Sequence, residues 1–166
     1  MNAMLKLYFA APLFSEAERR FNAELARKLE GLGLHVFLPQ RDGAENDREH
    51  YAALSKEERR EAIFAVDRMK LLESDIFLLV LDGRVPDEGA CVELGMAYAQ
   101  KYLERKEKIL VGLLTDSHAA FIQGKVNPMI GQALDRIFYK EDELVAFLDG
   151  ELEDKPRPPT RIEQEA

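Results

Sequence analysis

The run of residues 76–81 limits the possible folds more than any other segment of this chain. All six of its residues (IFLLVL) are apolar, and the run is far too short to span a membrane. An uninterrupted apolar run of this length is typical of a strand that is covered on both faces. Such strands occur in parallel sheets enclosed between layers of helices, so we expect an α/β fold.

Helical patterns alternate with strand-like runs along the whole chain. Ser15 with Glu18, and Ser55 with Glu58, have the spacing of a capping box and predict two helix starts. The predicted strands are residues 5–9, 35–38, 76–81, 109–114 and 137–139, and the other predicted helices are 89–103, a short one after 128, and 142–152. Residues 40–53 are polar and predicted to be irregular. This alternation predicts right-handed crossovers and a mainly parallel five-stranded sheet.

Length and charge restrict the organisation and the partners of the chain. Its 166 residues suffice for one domain, which we place at residues 1–152, followed by a charged, proline-rich tail at 153–166 that we expect to be mobile. A formal net charge of −8 argues against binding to nucleic acid or to an anionic membrane. The chain begins without a signal-peptide pattern and has a single cysteine, Cys91, so we expect a cytoplasmic protein.

Two acidic residues are candidates for chemistry near the carboxyl ends of the strands, where open parallel sheets bind ligands. Glu93 falls in the first turns of a predicted helix, where the helix dipole is expected to keep it ionised, as a nucleophile requires. Asp67 follows the apolar residues 63–66, and such surroundings favour the protonated form that a general acid needs. The plainer alternatives are that Glu93 only stabilises its helix and that Asp67 lies on a solvated face.

Other kinds of chemistry have little support in the sequence. The three histidines, at 35, 50 and 118, have no neighbours at metal-ligand spacing. The glycines at 83, 89 and 95 match neither a dinucleotide fingerprint nor a phosphate loop. Cys91 has no nearby histidine and is interpreted as an inert residue. The sequence therefore favours carboxylate chemistry over these alternatives.

Four spaced signatures between residue 5 and about residue 147 resemble the nucleoside 2-deoxyribosyltransferase family. They are the YFAA segment at 8–11, Asp67 eight residues before Asp75, the segment 87–95 that contains Glu93, and the NPM segment at 127–129. The resemblance implies a flavodoxin-like, Rossmann-like three-layer sandwich. It also implies transfer of a 2-deoxyribosyl group between purine or pyrimidine bases by double displacement, through a covalent intermediate on Glu93 and with no metal or organic cofactor.

The resemblance also implies roles for particular residues. Tyr8 would orient Glu93, and Asp67 would contact the departing base and protonate it. Asp87 and Asn127 would hold the 5′-hydroxyl of the sugar. The remaining residues expected to contact the substrate are Met129, Phe9, Ala10 and Gly89, together with Asp42 as a base contact from the poorly matching segment 40–53. A carboxylate at position 87 accepts a hydrogen bond from a 5′-hydroxyl but repels a 5′-phosphate, which favours free nucleosides.

The partners implied by the resemblance are deoxynucleosides, free nucleobases and further copies of the chain. The segment 127–129 would reach the pocket of a neighbouring subunit in a homo-oligomer, between a dimer and a hexamer. The preceding loop, 115–126, includes apolar residues at 119–122, a poor composition for a solvated connection. Two alternatives stay open: an N-glycoside hydrolase of the same superfamily acting on (deoxy)nucleosides or nucleotides, and a non-catalytic nucleoside-binding module.

Overall fold

The computed structural model describes residues 4–44, 51–83, 85–116 and 126–153. Its five strands are β1 (Lys6–Ala10), β2 (His35–Phe37), β3 (Ile76–Val80), β4 (Ile109–Leu113) and β5 (Arg136–Phe138). They form one sheet in the order β2-β1-β3-β4-β5, and every neighbouring pair is parallel. The predicted fold class is confirmed. The strand order reverses between β1 and β3, and flavodoxin-like sheets bind ligands at such a reversal.

Six helices are described: α1 (Glu16–Gly31), α2 (Pro39–Asp42), α3 (Lys56–Glu73), α4 (Glu88–Leu103), α5 (Pro128–Ala133) and α6 (Glu141–Glu153). Both predicted capping boxes are formed, at Ser15 and at Ser55. The prediction of irregular backbone is wrong for residues 40–42, which belong to α2. Pro39 supplies a helical φ angle at the first position of α2, and Asp42 accepts a hydrogen bond from the Leu38 amide at 2.9 Å.

Side chains of the sheet alternate between two apolar cores, one on each face. Leu7 and Phe9 point into the core that α1 and α6 cover, whereas Tyr8 and Ala10 point into the core under α3 and α4. All five residues of β3 are buried, as the unbroken apolar run predicts. The sheet with its two helical layers forms the expected three-layer sandwich. No helix in the described part of the chain is both long and apolar enough to cross a membrane.

The ends of the chain and of its elements agree less closely with the prediction. Strand β5 covers residues 136–138 rather than 137–139. Helix α6 ends at Glu153, so it continues one residue beyond the predicted end of the domain. The tail from 154 to 166 and the apolar residues 119–122 lie outside the described residues, so both remain predictions.

Candidate active site

A stack of three aromatic rings fixes the position of the Tyr8 hydroxyl. Tyr8 on β1 is fully buried, and its ring lies 5.5 Å from that of Phe37 on β2 and 6.0 Å from that of Phe77 on β3, centroid to centroid. Its hydroxyl donates a hydrogen bond of 2.5 Å to Oε1 of Glu93 on α4. The sheet thus holds a rigid donor against a carboxylate that lies 85 residues further along the chain.

The Glu93 carboxyl group lies in surroundings that disfavour its charge. Its pKa is raised to about 7, mainly by burial and also by the charges of Asp67 and Asp87, while the hydrogen bond from Tyr8 lowers it. The helix dipole therefore does not set the protonation of Glu93 alone, because burial and the neighbouring carboxylates move its pKa towards neutral pH. Burial and the charge of Glu93 raise the pKa of Tyr8 well above its ordinary value, so its hydroxyl remains a donor.

Asp67 and Glu93 line the same cavity, which has a volume of about 350 Å³ and lies between α3 and α4. The walls are mostly apolar, and two arginines of α3 also line them. The apolar residues are Ile63, Phe64, Leu71, Val92 and Met96, and the arginines are Arg60 and Arg68. Asp67 is partly buried, and its charge raises the pKa of both Glu93 and Tyr8. A cavity with two carboxyl groups in an apolar enclosure is suited to a planar, uncharged ligand on which positive charge develops during reaction.

Asp87 caps the helix that carries Glu93. Its Oδ1 atom accepts a hydrogen bond of 2.8 Å from the Ala90 amide at the start of α4. Gly89, in the same turn, lines the cavity, and a β-carbon at this position would come within 3.2 Å of Asp87 Oδ1. The loop after β3 thus brings a third carboxylate, that of Asp87, close enough to raise the pKa of Glu93.

The profile of the family described as Nucleoside 2-deoxyribosyltransferase matches residues 7–135, more than half of the chain. The chain belongs to the nucleoside 2-deoxyribosyltransferase family. The match covers the segments that carry Tyr8, Asp67, Asp87 and Glu93, and also the segment 127–129. A comparison with curated proteins gives no match.

Solved structures share the fold of this deoxyribosyltransferase family member. A conserved protein from Enterococcus faecalis V583 is 27% identical over 90% of this chain and 99% of its own, with a TM-score of 0.68. The 2-deoxyribosyltransferase of Bacillus psychrosaccharolyticus is 24% identical over 84% and 90%, also with a TM-score of 0.68. The 2-deoxyribosyltransferase from Leishmania mexicana is 17% identical over 88% and 97%, with a TM-score of 0.59. At their level of identity, the last two support the fold alone.

The structure brings some of the other predicted residues to the site and leaves some away from it. Ala10 lies on the same sheet face as Tyr8, whereas the Phe9 side chain is buried in the opposite core, so this side chain cannot contact a ligand beside Glu93. Asp42 does not line the cavity of Glu93. Its carboxylate accepts hydrogen bonds from the Leu38 amide and the Arg41 guanidinium, which points to a structural role in α2.

Asn127 and Met129 are not part of the cavity in the isolated chain. The Asn127 side chain caps α5 by accepting a hydrogen bond of 2.9 Å from the Met129 amide. Met129 is 82% exposed, although its side chain is large and apolar. Their predicted contact with substrate therefore depends on the further prediction that they serve a neighbouring subunit.

Asp82, just after β3, is a loop-anchoring residue that the sequence reasoning did not single out. Its carboxylate accepts hydrogen bonds from the Thr115 amide (2.5 Å), the Thr115 hydroxyl and the Asp116 amide (2.9 Å). These bonds tie the loop after β3 to the loop after β4. A polar residue directly after a buried strand is the signal that could have identified it.

The structure gives no alternative centre for metal or thiol chemistry within the described residues. No group of three or more His, Cys, Asp or Glu side chains there could hold a metal ion. Cys91 is partly buried, and burial, followed by the charges of Asp87 and Glu88, raises the pKa of its thiol. A thiol with these surroundings is a poor nucleophile, in line with its interpretation as an inert residue.

Proposed function

We propose that the protein is a nucleoside 2-deoxyribosyltransferase in which Glu93 is the nucleophile. The observation that carries this proposal is the geometry around Glu93. Its carboxylate is partly buried, is held at Oε1 by the Tyr8 hydroxyl at 2.5 Å, and shares a mostly apolar cavity of about 350 Å³ with Asp67. A helix-stabilising acid is usually solvated and needs neither a buried partner nor a cavity.

In the proposed first step, Glu93 attacks C1′ of a 2′-deoxynucleoside with the oxygen that Tyr8 does not hold. The bond between C1′ and the base nitrogen breaks, its electron pair stays with the base, and Asp67 donates a proton to the base. A second base then attacks C1′, displaces Glu93 and returns a proton to Asp67. The two inversions at C1′ give overall retention, as in retaining glycosidases.

Electrostatics support this division of roles. The transition state at C1′ is cation-like, so the negative charge of Asp87, which raises the pKa of Glu93 in the empty site, becomes favourable when substrate reacts, while Asp67 carries the proton that it donates to the base. Tyr8 fixes the attacking group, because a donor of raised pKa stays protonated throughout. Asp87 is proposed to accept a hydrogen bond from the 5′-hydroxyl of the sugar through Oδ2, while Oδ1 continues to cap α4. Its negative charge would repel a 5′-phosphate.

We also propose that the active form is a homo-oligomer with shared sites. The outward face of α4 is apolar, with Val92, Tyr98, Tyr102 and Leu103 exposed, and the exposed Met129 follows on the neighbouring α5. A helix that is apolar on its outward as well as its inward face normally has a partner on both. This face adjoins the cavity through Val92, so a second copy that covers it would bring its own segment 127–129 towards Glu93.

The transfer reaction is tested by incubating the protein with deoxyinosine, with and without adenine. We expect deoxyadenosine to form only when adenine is present, together with an equal amount of hypoxanthine. Hypoxanthine release at the same rate without an acceptor would identify a hydrolase. A slow 2-fluoro-2-deoxy substrate should leave a sugar adduct on the peptide that contains Glu93, and an adduct on any other peptide would refute the assigned nucleophile.

The shared site is tested by mixing two inactive variants, Glu93→Ala and Asn127→Ala. If subunits exchange, some mixed sites contain both native residues, and activity should return. Light scattering should report at least a dimer. A fully active monomer at nanomolar concentration would contradict the shared site and leave the single-chain mechanism unaffected.

A further inference from the structure

We infer that Arg60 selects the base, and that the site prefers 6-oxopurines such as hypoxanthine over 6-aminopurines such as adenine. This inference rests on the proposed function and concerns the base side of the same cavity. Arg60 lies on α3, seven residues before Asp67, and both line the cavity that contains Glu93. Residues seven apart lie on the same face of a helix, about 10.5 Å from each other along its axis.

The surface between these two side chains is suited to the flat face of a base. Ile63 lies between Arg60 and Asp67 on this face of α3, and Val92 and Met96 contribute from α4. Asp67 is proposed to donate a proton to a ring nitrogen at one edge of the base. Arg60 then meets the opposite edge, because it is the next polar side chain along the same face.

Arg60 has its hydrogen-bonding groups available within the described structure. It forms no ion pair with any described residue, whereas Arg41 pairs with Glu30 and Asp42. The other arginine of the cavity, Arg68, packs its guanidinium over the Phe64 ring at 5.4 Å. Arg59 donates to the backbone oxygens of Leu54 and Ala52. Arg60 is therefore the arginine of this wall that can turn to a ligand.

The environment of Arg60 also favours ligands that accept hydrogen bonds. Arg60 also lines a second, adjoining cavity of about 800 Å³, together with Lys56 and Arg59. These three positive charges lie close together although the net charge of the chain is −8. Arginine and lysine only donate hydrogen bonds. An arginine binds the O6 and N7 acceptors of a 6-oxopurine as a pair, whereas the N7 acceptor and N6 amino group of adenine suit asparagine or glutamine.

The test is a competition for one deoxyribosyl donor. Thymidine is supplied with equal concentrations of hypoxanthine and adenine, and the initial ratio of deoxyinosine to deoxyadenosine is measured. We expect wild-type protein to favour deoxyinosine by about tenfold or more, since a site built for one hydrogen-bonding pattern rejects the other strongly. Arg60→Gln should reduce this ratio at least several-fold or reverse it. The matched control Arg59→Gln, which removes a positive charge from the same helix outside this cavity, should leave the ratio unchanged.

A wild-type ratio near one, or an unchanged ratio in Arg60→Gln, would overturn the inference while leaving transfer intact. Binding of the free bases to Glu93→Gln protein, measured by calorimetry, separates recognition from turnover. If this protein binds hypoxanthine more tightly than adenine, and the added substitution Arg60→Gln abolishes the difference, the role of Arg60 is supported. If no transfer occurs in the wild-type protein, the proposed function fails but this result on Arg60 stands.

Discussion

Two ionisable groups on the side of the sheet covered by α3 and α4, one partly buried and one fully buried, differ in the groups that surround their charge. Glu93, at the carboxyl edge of the sheet, has Tyr8 as a hydrogen-bond partner but two carboxylates as electrostatic neighbours. Lys108, at the opposite edge, is 3% exposed and donates to the Leu71 carbonyl (2.5 Å) and the Ser74 hydroxyl (3.0 Å) at the end of α3.

Burial shifts both groups towards their neutral forms. The pKa of Glu93 rises to about 7, mainly through burial, and that of Lys108 falls to about 8, also mainly through burial. The difference lies in what surrounds them. Lys108 lies at the carbonyl end of α3, where the helix dipole stabilises a cation. Glu93 lies near two other carboxylates, and a ligand that develops positive charge would offset their repulsion. We interpret Lys108 as structural and Glu93 as functional.

The largest expected effect is the loss of activity in Glu93→Gln. Its amide keeps the shape of the side chain and can still accept the hydrogen bond from Tyr8, but it cannot form the covalent intermediate. We expect kcat/KM for base exchange to fall by about 10³-fold or more. The matched control is Glu88→Gln, an exposed acid in the first turn of the same helix, which should keep near-normal turnover. Near-normal turnover in Glu93→Gln would disprove the nucleophile.

Asp67→Asn should come next, with a loss of roughly 10²-fold for natural deoxynucleosides, since an amide cannot protonate the base. The loss should be much smaller for a substrate with an activated leaving group. The acid limb of kcat/KM, expected near pH 7 in wild type, should also move to lower pH, because the Asp67 charge raises the pKa of Glu93. Equal losses for both substrates would show that Asp67 positions the ligand and is not an acid catalyst.

Stability should respond in the opposite direction to activity at position 93. The pKa of Glu93 is raised from 4.5 to about 7 on folding, so wild type loses stability as pH rises from about 4.5 through 7. Glu93→Gln removes this loss. It should be more stable than wild type above pH 7, by at most about 3 kcal/mol, and the gain should vanish below pH 4.5. Urea unfolding at pH 4 and pH 8 measures it, and a gain that does not depend on pH would contradict the assigned cause.

Asp87→Ser should have a smaller effect that depends on the substrate. Serine is also a good N-cap, so the start of α4 should be retained, whereas Asp87→Ala should lose about 1 kcal/mol of stability. We expect KM for a deoxynucleoside to rise about tenfold, with improved use of its 5′-monophosphate, since one negative charge is removed. A wild-type preference for monophosphates would contradict the proposed role of Asp87.

Lys108→Met should have the smallest effect on catalysis, with kcat/KM within about threefold of wild type, since Lys108 lies at the other edge of the sheet. The stability of this variant should also differ from that of wild type in its dependence on pH. The pKa of Lys108 is lowered on folding, from 10.5 to about 8, so wild type gains stability as pH rises through this interval. The variant should lack this gain. A large loss of activity in Lys108→Met would contradict the interpretation of Lys108 as a structural residue.

Local patterns in the sequence were sufficient for most of the fold. The capping boxes at Ser15 and Ser55 depend on residues three apart, and the apolar run of β3 reports directly on burial of both faces. The same reasoning missed α2, because a four-residue helix contains too little periodicity to be recognised. It also placed β5 one residue late, since a three-residue edge strand has a weak pattern.

The resemblance to a family identified Glu93 and Tyr8 as partners, but their physical relationship depends on tertiary structure. The 2.5 Å contact joins residues 85 positions apart, and its donor is fixed by rings from β2 and β3. The same holds for the Asp82 bonds to the loop after β4. No local pattern reports such contacts, because they arise only when distant elements pack together.

The protonation of Glu93 shows most clearly where sequence reasoning ends. The sequence by itself determined that an acid lies near a helix start after a buried strand, and helix position alone predicted an ionised carboxylate. Only the tertiary structure decided that this side chain is partly buried and that Asp67, on another helix, adds a second charge beside it. Desolvation and charge repulsion depend on distances in space. Together they change the pKa of Glu93 more than the helix dipole does, because the group is partly withdrawn from water.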